Sequence, residues 1–446
     1  MKFCSVRKFY SFILLATLTA LLSLTAACGS GGSVDTSFEA NPPAYSWWEG
    51  YYSSESSLIQ PDTLAAWIDN GFKTADGSPV VVFDVMTDYS SDTAPKITGS
   101  VSKAAISTFS YNDNRFEGPL DTRNYQYVYD GKMVTGHGAS SAMMITGERI
   151  DAMIQDLGIT EKTVLVLTGT GSNNQFDVWR TYWIFSYWGF SKAKIKVLDG
   201  GTAAFAADFP ERAPVTRYEN LYDPADSSFS VRQLPRLNSE LRASIKEVID
   251  AVKDGSPIIF AQVSSAGSRN IKTEHSFFLS AGTVHVNGKF NDAEAIKATI
   301  ITNINASYAA DSNPATVTTW DDVLALFAGK TIYVHCGAGF SASALYTAFV
   351  DVLGIPVVLY DGSNNQWNAF KSDGPLQGVI PAYDTSPYSF NATGGQTSLV
   401  GAPGVFVDWS YTGTGNEIFE EDYEYHITKP SAGGNEGVQD GSTSGC

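Results

Sequence analysis

The feature that most constrains the fold is a duplicated order of buried-strand and helix patterns along the chain. In each half, apolar β-branched runs alternate with segments of helical periodicity. The matching strand runs cover residues 78–85, 162–167 and 194–201 in the first half, and 256–263 and 331–334 in the second, where the segment 356–367 completes the unit. Strands that alternate with helices form parallel sheets. The sequence therefore predicts an α/β fold of two units, each a parallel sheet with helices on both faces.

The duplication also predicts the domain organisation. The expected segments are a first unit over residues 55–212, a linker over 213–236 and a second unit over 237–374. From about residue 374 the helical periodicity disappears, while glycine, serine, tyrosine and acidic residues accumulate. We therefore predict an irregular, acidic, Gly/Ser/Tyr-rich tail over 375–446, with one short strand over 404–409.

The N-terminal segment has the pattern of an export signal. Basic residues precede an apolar run over residues 12–24, and two alanines then precede Cys28. This end resembles the lipobox of bacterial lipoproteins, which implies a signal peptide over 1–27, lipid on the Cys28 sulfur and a tether over 28–54. An uncleaved membrane anchor is the alternative, since the apolar run is just long enough to span a bilayer. Both alternatives place the protein in the cell envelope, and the lipoprotein pattern indicates the outer membrane, facing the periplasm or the cell surface.

The net charge limits the partners. The chain carries a formal charge of −18, and the leader holds three basic residues and no acid, so the chain after the leader carries about −18 − 3 = −21. Such a charge argues against nucleic acid, and against docking to anionic lipid by any means except the N-terminal lipid. The remaining partners are small molecules and basic proteins, such as a periplasmic or outer-surface redox protein.

The four cysteines do not form a metal-binding pattern. Cys4 lies in the leader, Cys28 is the lipidation candidate, and Cys336 and Cys446 have no Cys-x-x-Cys or Cys/His spacing. We therefore expect no metal and no cofactor. Cys336 and Cys446 could pair, and their separation in sequence does not decide whether they do.

Cys336 has the context of a reactive thiol. It follows a buried-strand run over residues 331–334, Gly337 and Gly339 come next, and a helical pattern opens near Ser341. Backbone N–H groups and the helix dipole at such a junction favour the thiolate, which is the reactive form. A buried structural cysteine is the alternative.

Three motifs give the chain a resemblance to a known family. They are KVLDGGTAAF over residues 196–205, CGAGFSA over 336–342 and LYDGSNNQW over 359–367. Together they resemble the tandem-domain rhodanese family of thiosulfate and 3-mercaptopyruvate sulfurtransferases, over roughly residues 56–374. The resemblance implies two rhodanese-like units, of which the second keeps the catalytic cysteine and the first has Thr168 in its place.

The resemblance implies an enzyme, a rhodanese-like sulfurtransferase. Its catalytic residue would be Cys336, which takes a sulfane sulfur from a small anionic donor of the thiosulfate or 3-mercaptopyruvate type. The resulting persulfide then passes that sulfur to a thiophilic acceptor, either a thiol or cyanide.

The family's binding residues carry over onto the loop after the cysteine. The substrate- and loop-binding candidates are Gly337, Ala338, Gly339, Phe340, Ser341 and Ala342. Their successive N–H groups can curl around the sulfur without a metal or a base. Ser341 either donates a further hydrogen bond or caps the helix. The loop has no cation, and the segment AQVSSAGSR over 261–269 resembles a family segment whose last arginine binds the donor. The resemblance therefore assigns the donor's carboxylate or sulfonate to Arg269, with a plain surface charge as the alternative. His335 is expected to point to the opposite side of the strand and is not taken as a general base.

A non-catalytic role is the alternative function. The family's Asp–Arg pair after the first strand of each unit survives only as Asp84 in the first half, and Gln262 and Ser264 take its place in the second. With the acidic balance and the long tail, these departures favour a surface lipoprotein that uses the same scaffold to bind an oxyanion or an electron-transfer partner.

Overall fold

The computed structural model describes a defined part of the chain. This part comprises residues 56–85, 93–101, 126–129, 132–135, 144–169, 174–217, 227–261, 271–311, 313–371, 384–391, 395–396 and 417–428. The leader, Cys28, Arg269, Cys446 and the strand expected over 404–409 lie outside it. Among the described helices, none combines the length and the apolar character that crossing a membrane requires.

The strands in the described part of the chain are short, with two to five residues each. In chain order they are β1 (Leu58–Ile59), β2 (Val80–Asp84), β3 (Thr93–Pro95), β4 (Gln126–Tyr129), β5 (Lys132–Thr135), β6 (Val164–Thr168), β7 (Ile195–Leu198), β8 (Val215–Arg217), β9 (Ile258–Phe260), β10 (Phe277–Phe278), β11 (His285–Val286), β12 (Lys289–Phe290), β13 (Tyr333–His335), β14 (Val358–Leu359), β15 (Phe390–Asn391) and β16 (Gly395–Gln396).

The helices occupy the connections between these strands. They are α1 (Pro61–Asp69), α2 (Gly147–Asp156), α3 (Asn174–Tyr187), α4 (Gly201–Asp208), α5 (Ile245–Lys253), α6 (Ala293–Ala310), α7 (Trp320–Phe327), α8 (Phe340–Thr347), α9 (Ser363–Phe370) and α10 (Glu417–Ile427). A π-helical turn, Ala348–Val352, continues α8.

Each half contains one four-stranded parallel sheet. The order is β1-β7-β6-β2 in the first half and β10-β9-β13-β14 in the second. The other strands form short antiparallel pairs, β3 with β8, β4 with β5, β11 with β12 and β15 with β16. The prediction of an α/β fold with two parallel sheets is confirmed.

Helices cover both faces of these sheets, which explains why the strand runs are apolar at every position rather than at alternate ones. In the first half, Val82 and Val166 pack with Leu198 and with Phe205 of α4. The core of the second half is built in the same way. Its buried members include Val248, Ile258, Val358, Trp367 and Phe370. Each half therefore has its own core beside its sheet.

The two halves contact each other through α3 and α8, the helices that follow the matching strands β6 and β13. The rings of Tyr182 and Tyr346 lie 6.2 Å apart at this contact. The Ser343 hydroxyl donates to the Phe176 carbonyl at 3.4 Å. The segment after Cys336 is therefore packed directly against the first half.

Two aspartates repeat one another across this contact. Asp199 of the first half accepts a hydrogen bond from the Phe290 N–H of the second half at 2.9 Å. Asp361 of the second half accepts one from the Met144 N–H of the first at 2.8 Å. Phe290 and Met144 each precede a helix N-cap by two residues. The LDG and YDG motifs therefore join the halves through equivalent bonds.

The tail differs from its prediction in two places, of which the first is the short antiparallel pair of β15 and β16. Residues 417–427 form α10, where the sequence predicted irregular chain. Asp422 on this helix is fully buried and accepts a hydrogen bond from the Tyr187 hydroxyl at 2.6 Å. Tyr425 donates to the buried Asp151 at 2.7 Å. The helix was missed because its buried face is polar, so no apolar periodicity marks it.

Candidate active site

The position of Cys336 is set by the end of β13. That strand is paired on both sides, with β9 and with β14, and it ends at His335. Helix α8 begins at Phe340, and its N-cap is Gly339 in the left-handed region with φ +86°. The Gly339 N–H donates to the Cys336 sulfur at 3.0 Å. The thiol therefore lies in the turn between a buried strand and a helix N-terminus.

Only glycine fits at position 339. Besides its positive φ, a Cβ added there would lie 2.9 Å from the Arg180 Nη1 and 2.9 Å from the Asp361 carbonyl oxygen. Any side chain would therefore push away the two groups that close the loop from behind.

The YDGS motif holds the other side of the loop. The Ser363 hydroxyl accepts the Cys336 N–H at 3.2 Å, while the Asn364 N–H donates to the Cys336 carbonyl at 3.1 Å. The Asn365 N–H donates to the Gly337 carbonyl at 3.0 Å. These bonds fix the loop backbone from the N-terminus of α9, so the two motifs of the second half form one unit.

The predicted loop residues lie together, with differences in detail. The sequence predicted that several amides from Gly337 to Ala342 surround the sulfur. In the described residues, the amide seen to donate to the sulfur is that of Gly339. Ser341 lies inside the first turn of α8 and is half-exposed, so the expectation that it caps the helix is wrong. Cys336 itself is 2% exposed, whereas Gly337, Ala338, Phe340 and Ser341 are half-exposed.

A buried arginine from the first half lies behind this loop. Arg180 of α3 has a fully buried side chain, with Nη1 3.5 Å from the Gly339 carbonyl and Nη2 3.5 Å from the Asp361 carboxylate. Its guanidinium lies 4.4 Å above the Trp183 ring. The loop sequence has no cation, yet the folded site has one, supplied by the other half.

The charge on Arg180 persists at neutral pH. Burial is the main cause that lowers the pKa of Arg180 to about 10; Arg242 acts in the same direction, while Asp361 and Cys336 oppose the shift. A guanidinium with that pKa is protonated near pH 7. The thiol therefore has a fixed positive charge behind it.

Asp361 links that arginine to a second one. Its carboxylate accepts from the Arg242 Nε at 3.1 and 3.2 Å as well as from the Met144 N–H. Both arginines and Asp361 have fully buried side chains. Buried charges are stable only when they are paired and hydrogen-bonded, and this group meets that condition.

The sequence around Arg180 itself indicates that this residue is part of a buried ion pair, although the residues around Cys336 do not. Arg180 interrupts the run VWRTYWIFSYW, whose neighbouring residues are buried on all sides of α3. A charged residue in a helix that is buried all round must meet a counter-charge from elsewhere. That rule predicts a buried pair without naming Asp361 as its partner.

His335 does not serve as a base. It is fully buried and its ring lies 5.0 Å from that of Phe260. Burial lowers the pKa of His335 to about 3, which is too low to take a proton near neutral pH. Among the described residues, no group of three or more His, Cys, Asp or Glu side chains could hold a metal ion.

The buried histidine predicts acid sensitivity. Between its ordinary pKa of 6.5 and its folded pKa of about 3, the unfolded chain binds a proton that the folded chain does not. Stability is therefore lost as pH falls through this window, by up to about 1.4 kcal/mol per pH unit. In denaturant unfolding at pH 5 and pH 7, His335→Leu should reduce the difference between the two midpoints. Equal pH dependence in native protein and His335→Leu would contradict this prediction.

Comparison with known proteins gives distant likenesses in fold. No family model matches the chain, and no curated protein matches it. The structure of SseA from Escherichia coli, described with the rhodanese fold of 3-mercaptopyruvate sulfotransferases, is 16% identical with a TM-score of 0.44, over 69% of this chain and 99% of that one. Tum1 from Saccharomyces cerevisiae is 18% identical with a TM-score of 0.47, over 70% and 94%. The 3-mercaptopyruvate sulfurtransferase from Leishmania major is 13% identical with a TM-score of 0.45, over 70% and 74%. The likenesses are distant, so the chemistry of the site rests on this chain's own residues.

Proposed function

We propose that the protein is a sulfurtransferase in which Cys336 carries a sulfane sulfur from a small anionic donor to a thiophilic acceptor. One observation supports this most directly. The sulfur accepts the Gly339 N–H at 3.0 Å at a helix N-terminus, with the guanidinium of Arg180 behind the same loop. Both groups favour a negative charge on the sulfur, and both a thiolate and a persulfide carry that charge.

The proposed reaction has two half-reactions. In the first, the Cys336 thiolate attacks the outer sulfur of the donor and an Sγ–S bond forms. With thiosulfate the S–S bond breaks and sulfite leaves with its electron pair; with 3-mercaptopyruvate the C–S bond breaks and the carbon takes a proton to give pyruvate. In the second, cyanide or a thiolate attacks the terminal sulfur, and the Sγ–S electrons return to Cys336. Neither half-reaction requires a redox cofactor.

The donor must approach from the outer side of the loop, because Arg180 and Asp361 fill the inner side. The half-exposed residues there, Gly337, Ala338 and Phe340, carry no charge. A donor anion would therefore depend on a cation from another segment, and Arg269 stays the candidate for the contact with a carboxylate or sulfonate.

The experiment that tests this function measures sulfur on the wild-type protein. After incubation with thiosulfate or 3-mercaptopyruvate, the intact mass should rise by one sulfur atom. Fragmentation should map that sulfur to the peptide containing Cys336, and added cyanide should remove it as thiocyanate. The same spectra of protein isolated from cell membranes test the further proposal that Cys28 carries lipid in the cell envelope. A protein that gains no sulfur from either donor would contradict the assignment.

A binding role is the second candidate. The observation that favours it is the 2% exposure of Cys336, which limits approach to the sulfur. In that case the scaffold would hold an oxyanion or a redox partner without turnover. Binding of thiosulfate by calorimetry, together with an unchanged mass of the protein, would support this role against the enzymatic one.

A further inference from the structure

We propose that Asp422, on the C-terminal helix α10, is a positioning residue that tunes the electrostatic environment of Cys336 through a chain of buried charges. This charge chain consists of Asp422, Arg242, Asp361 and Arg180, in that order. The inference rests on the proposed function in one respect only, that the thiolate of Cys336 is the reacting form.

Asp422, the first member of the charge chain, is hydrogen-bonded to a residue of the first half. The Asp422 carboxylate accepts the Tyr187 hydroxyl at 2.6 Å, and its Oδ2 lies 3.9 Å from the Arg242 Nη1. Both side chains of that ion pair are fully buried. A carboxylate placed there interacts with its neighbours through protein rather than through water, so its charge acts over a longer distance than a surface charge would.

The signs of the charges alternate toward the loop. Arg242 bonds the Asp361 carboxylate at 3.1 and 3.2 Å, and Asp361 lies 3.5 Å from Arg180. Two positive and two negative charges balance. If Asp422 lost its charge, the charge chain would carry a net charge of +1 behind the loop that holds Cys336.

The other ionisable groups near the charge chain include three in the described residues, His335, Glu247 and the buried His426 of α10, whose pKa is lowered by burial. His335, on the strand that leads to Cys336, is neutral at ordinary pH because burial lowers its pKa to about 3. Glu247 of α5 lies near Arg242, and burial raises the pKa of Glu247 to about 7. Glu247 can therefore change its charge near neutral pH. The pH profile of Cys336 alkylation must be compared with that of a control variant that retains Glu247.

The two ends of the charge chain should act with opposite sign. Loss of the positive Arg180 disfavours a thiolate at Cys336, whereas loss of the negative Asp422 favours it. A helix that only stabilised the fold would not produce a shift toward easier ionisation. This difference in sign separates a positioning role from a structural one.

The test is the pH dependence of alkylation of Cys336 by iodoacetamide in the full chain, followed by the mass of the Cys336 peptide. Asp422→Asn keeps the shape and can still accept the Tyr187 hydroxyl. Its midpoint should fall by roughly half a pH unit, which means about threefold faster alkylation below the midpoint. Glu424→Gln is the matched control, since it removes one exposed carboxylate from the same helix and should leave the midpoint in place. Equal midpoints in the two variants, or a rise in Asp422→Asn, would overturn the proposal.

A double-variant cycle keeps the test decisive if Asp422→Asn alone does not fold. Arg242→Gln should raise the midpoint, and adding Asp422→Asn to it should lower the midpoint again. No change between Arg242→Gln and the double variant would overturn the proposal as well. Alkylation needs no sulfur donor, so the charge chain can be established or refuted whether or not the protein transfers sulfur.

Discussion

Replacing Cys336 by serine should abolish sulfur transfer from thiosulfate or 3-mercaptopyruvate to cyanide, a loss of roughly a thousandfold or more. A serine oxygen cannot form the persulfide on which both half-reactions depend. The fold should survive, because the hydroxyl is smaller than the thiol and can still accept the Gly339 N–H that now bonds the sulfur at 3.0 Å. Thiocyanate production and thermal unfolding of the purified variant measure the two outcomes.

The matched control for this variant is Cys446→Ser. It also removes one thiol, but from the last residue of the chain. Full activity in that variant would mean that the terminal thiol is not needed to resolve a persulfide, and that the loss in Cys336→Ser belongs to the site. If Cys336→Ser kept its turnover, sulfur transfer through this residue would be excluded.

The architecture could be predicted because it depends on patterns local to each strand. The runs that became β2 and β6 are apolar at every position before their last residues, Asp84 and Thr168, and a strand covered by helices on both faces favours that pattern. The repetition of the same order in the second half then implied a second sheet. Pairing between β13 and its neighbours β9 and β14 follows from the same parallel arrangement.

The C-terminal helix could not be predicted in this way. Its inward contacts come from polar groups, the Asp422 carboxylate and the Tyr425 hydroxyl, each of which finds a buried partner far away in sequence. Hydrophobic periodicity cannot report a face that is buried by hydrogen bonds and ion pairs.

Within the site, the sequence located the sulfur but not its electrostatic surroundings. Cys336 could be found from the residues on either side of it, because a strand end, two glycines and a helical pattern are all local. Arg180 and the Gly339 carbonyl are 159 positions apart. The contact between them exists only after α3 and α8 have packed together, so local spacing could not have revealed it.

Replacing Arg180 by methionine should therefore impair the site although Arg180 belongs to the half without the cysteine. Methionine preserves most of the buried volume and removes the positive charge. With that charge gone, the midpoint of alkylation of Cys336 should move up by about one pH unit. Sulfur transfer at pH 7 should then fall about tenfold or more, and part of the loss should be recovered at higher pH. Arg180→Lys keeps a charge but not the planar guanidinium over Trp183. Its alkylation midpoint and its activity should lie between those of the native protein and those of Arg180→Met.

The control is Arg212→Met, since Arg212 lies in the same half, is partly exposed and pairs with Asp69 at the surface. That variant loses the same charge without changing the interior, so its alkylation profile should match that of the native protein. Folding of Arg180→Met must be checked by circular dichroism, because removing one partner of a buried ion pair costs about 3 kcal/mol or more. Asp361 keeps Arg242 and the Met144 N–H as partners, which limits that cost. If a folded Arg180→Met protein gave the same pH profile of Cys336 alkylation as Arg212→Met, the first half would contribute only packing, and no charge, to the site. The negative sulfur would then depend on the Gly339 N–H and the N-terminus of α8.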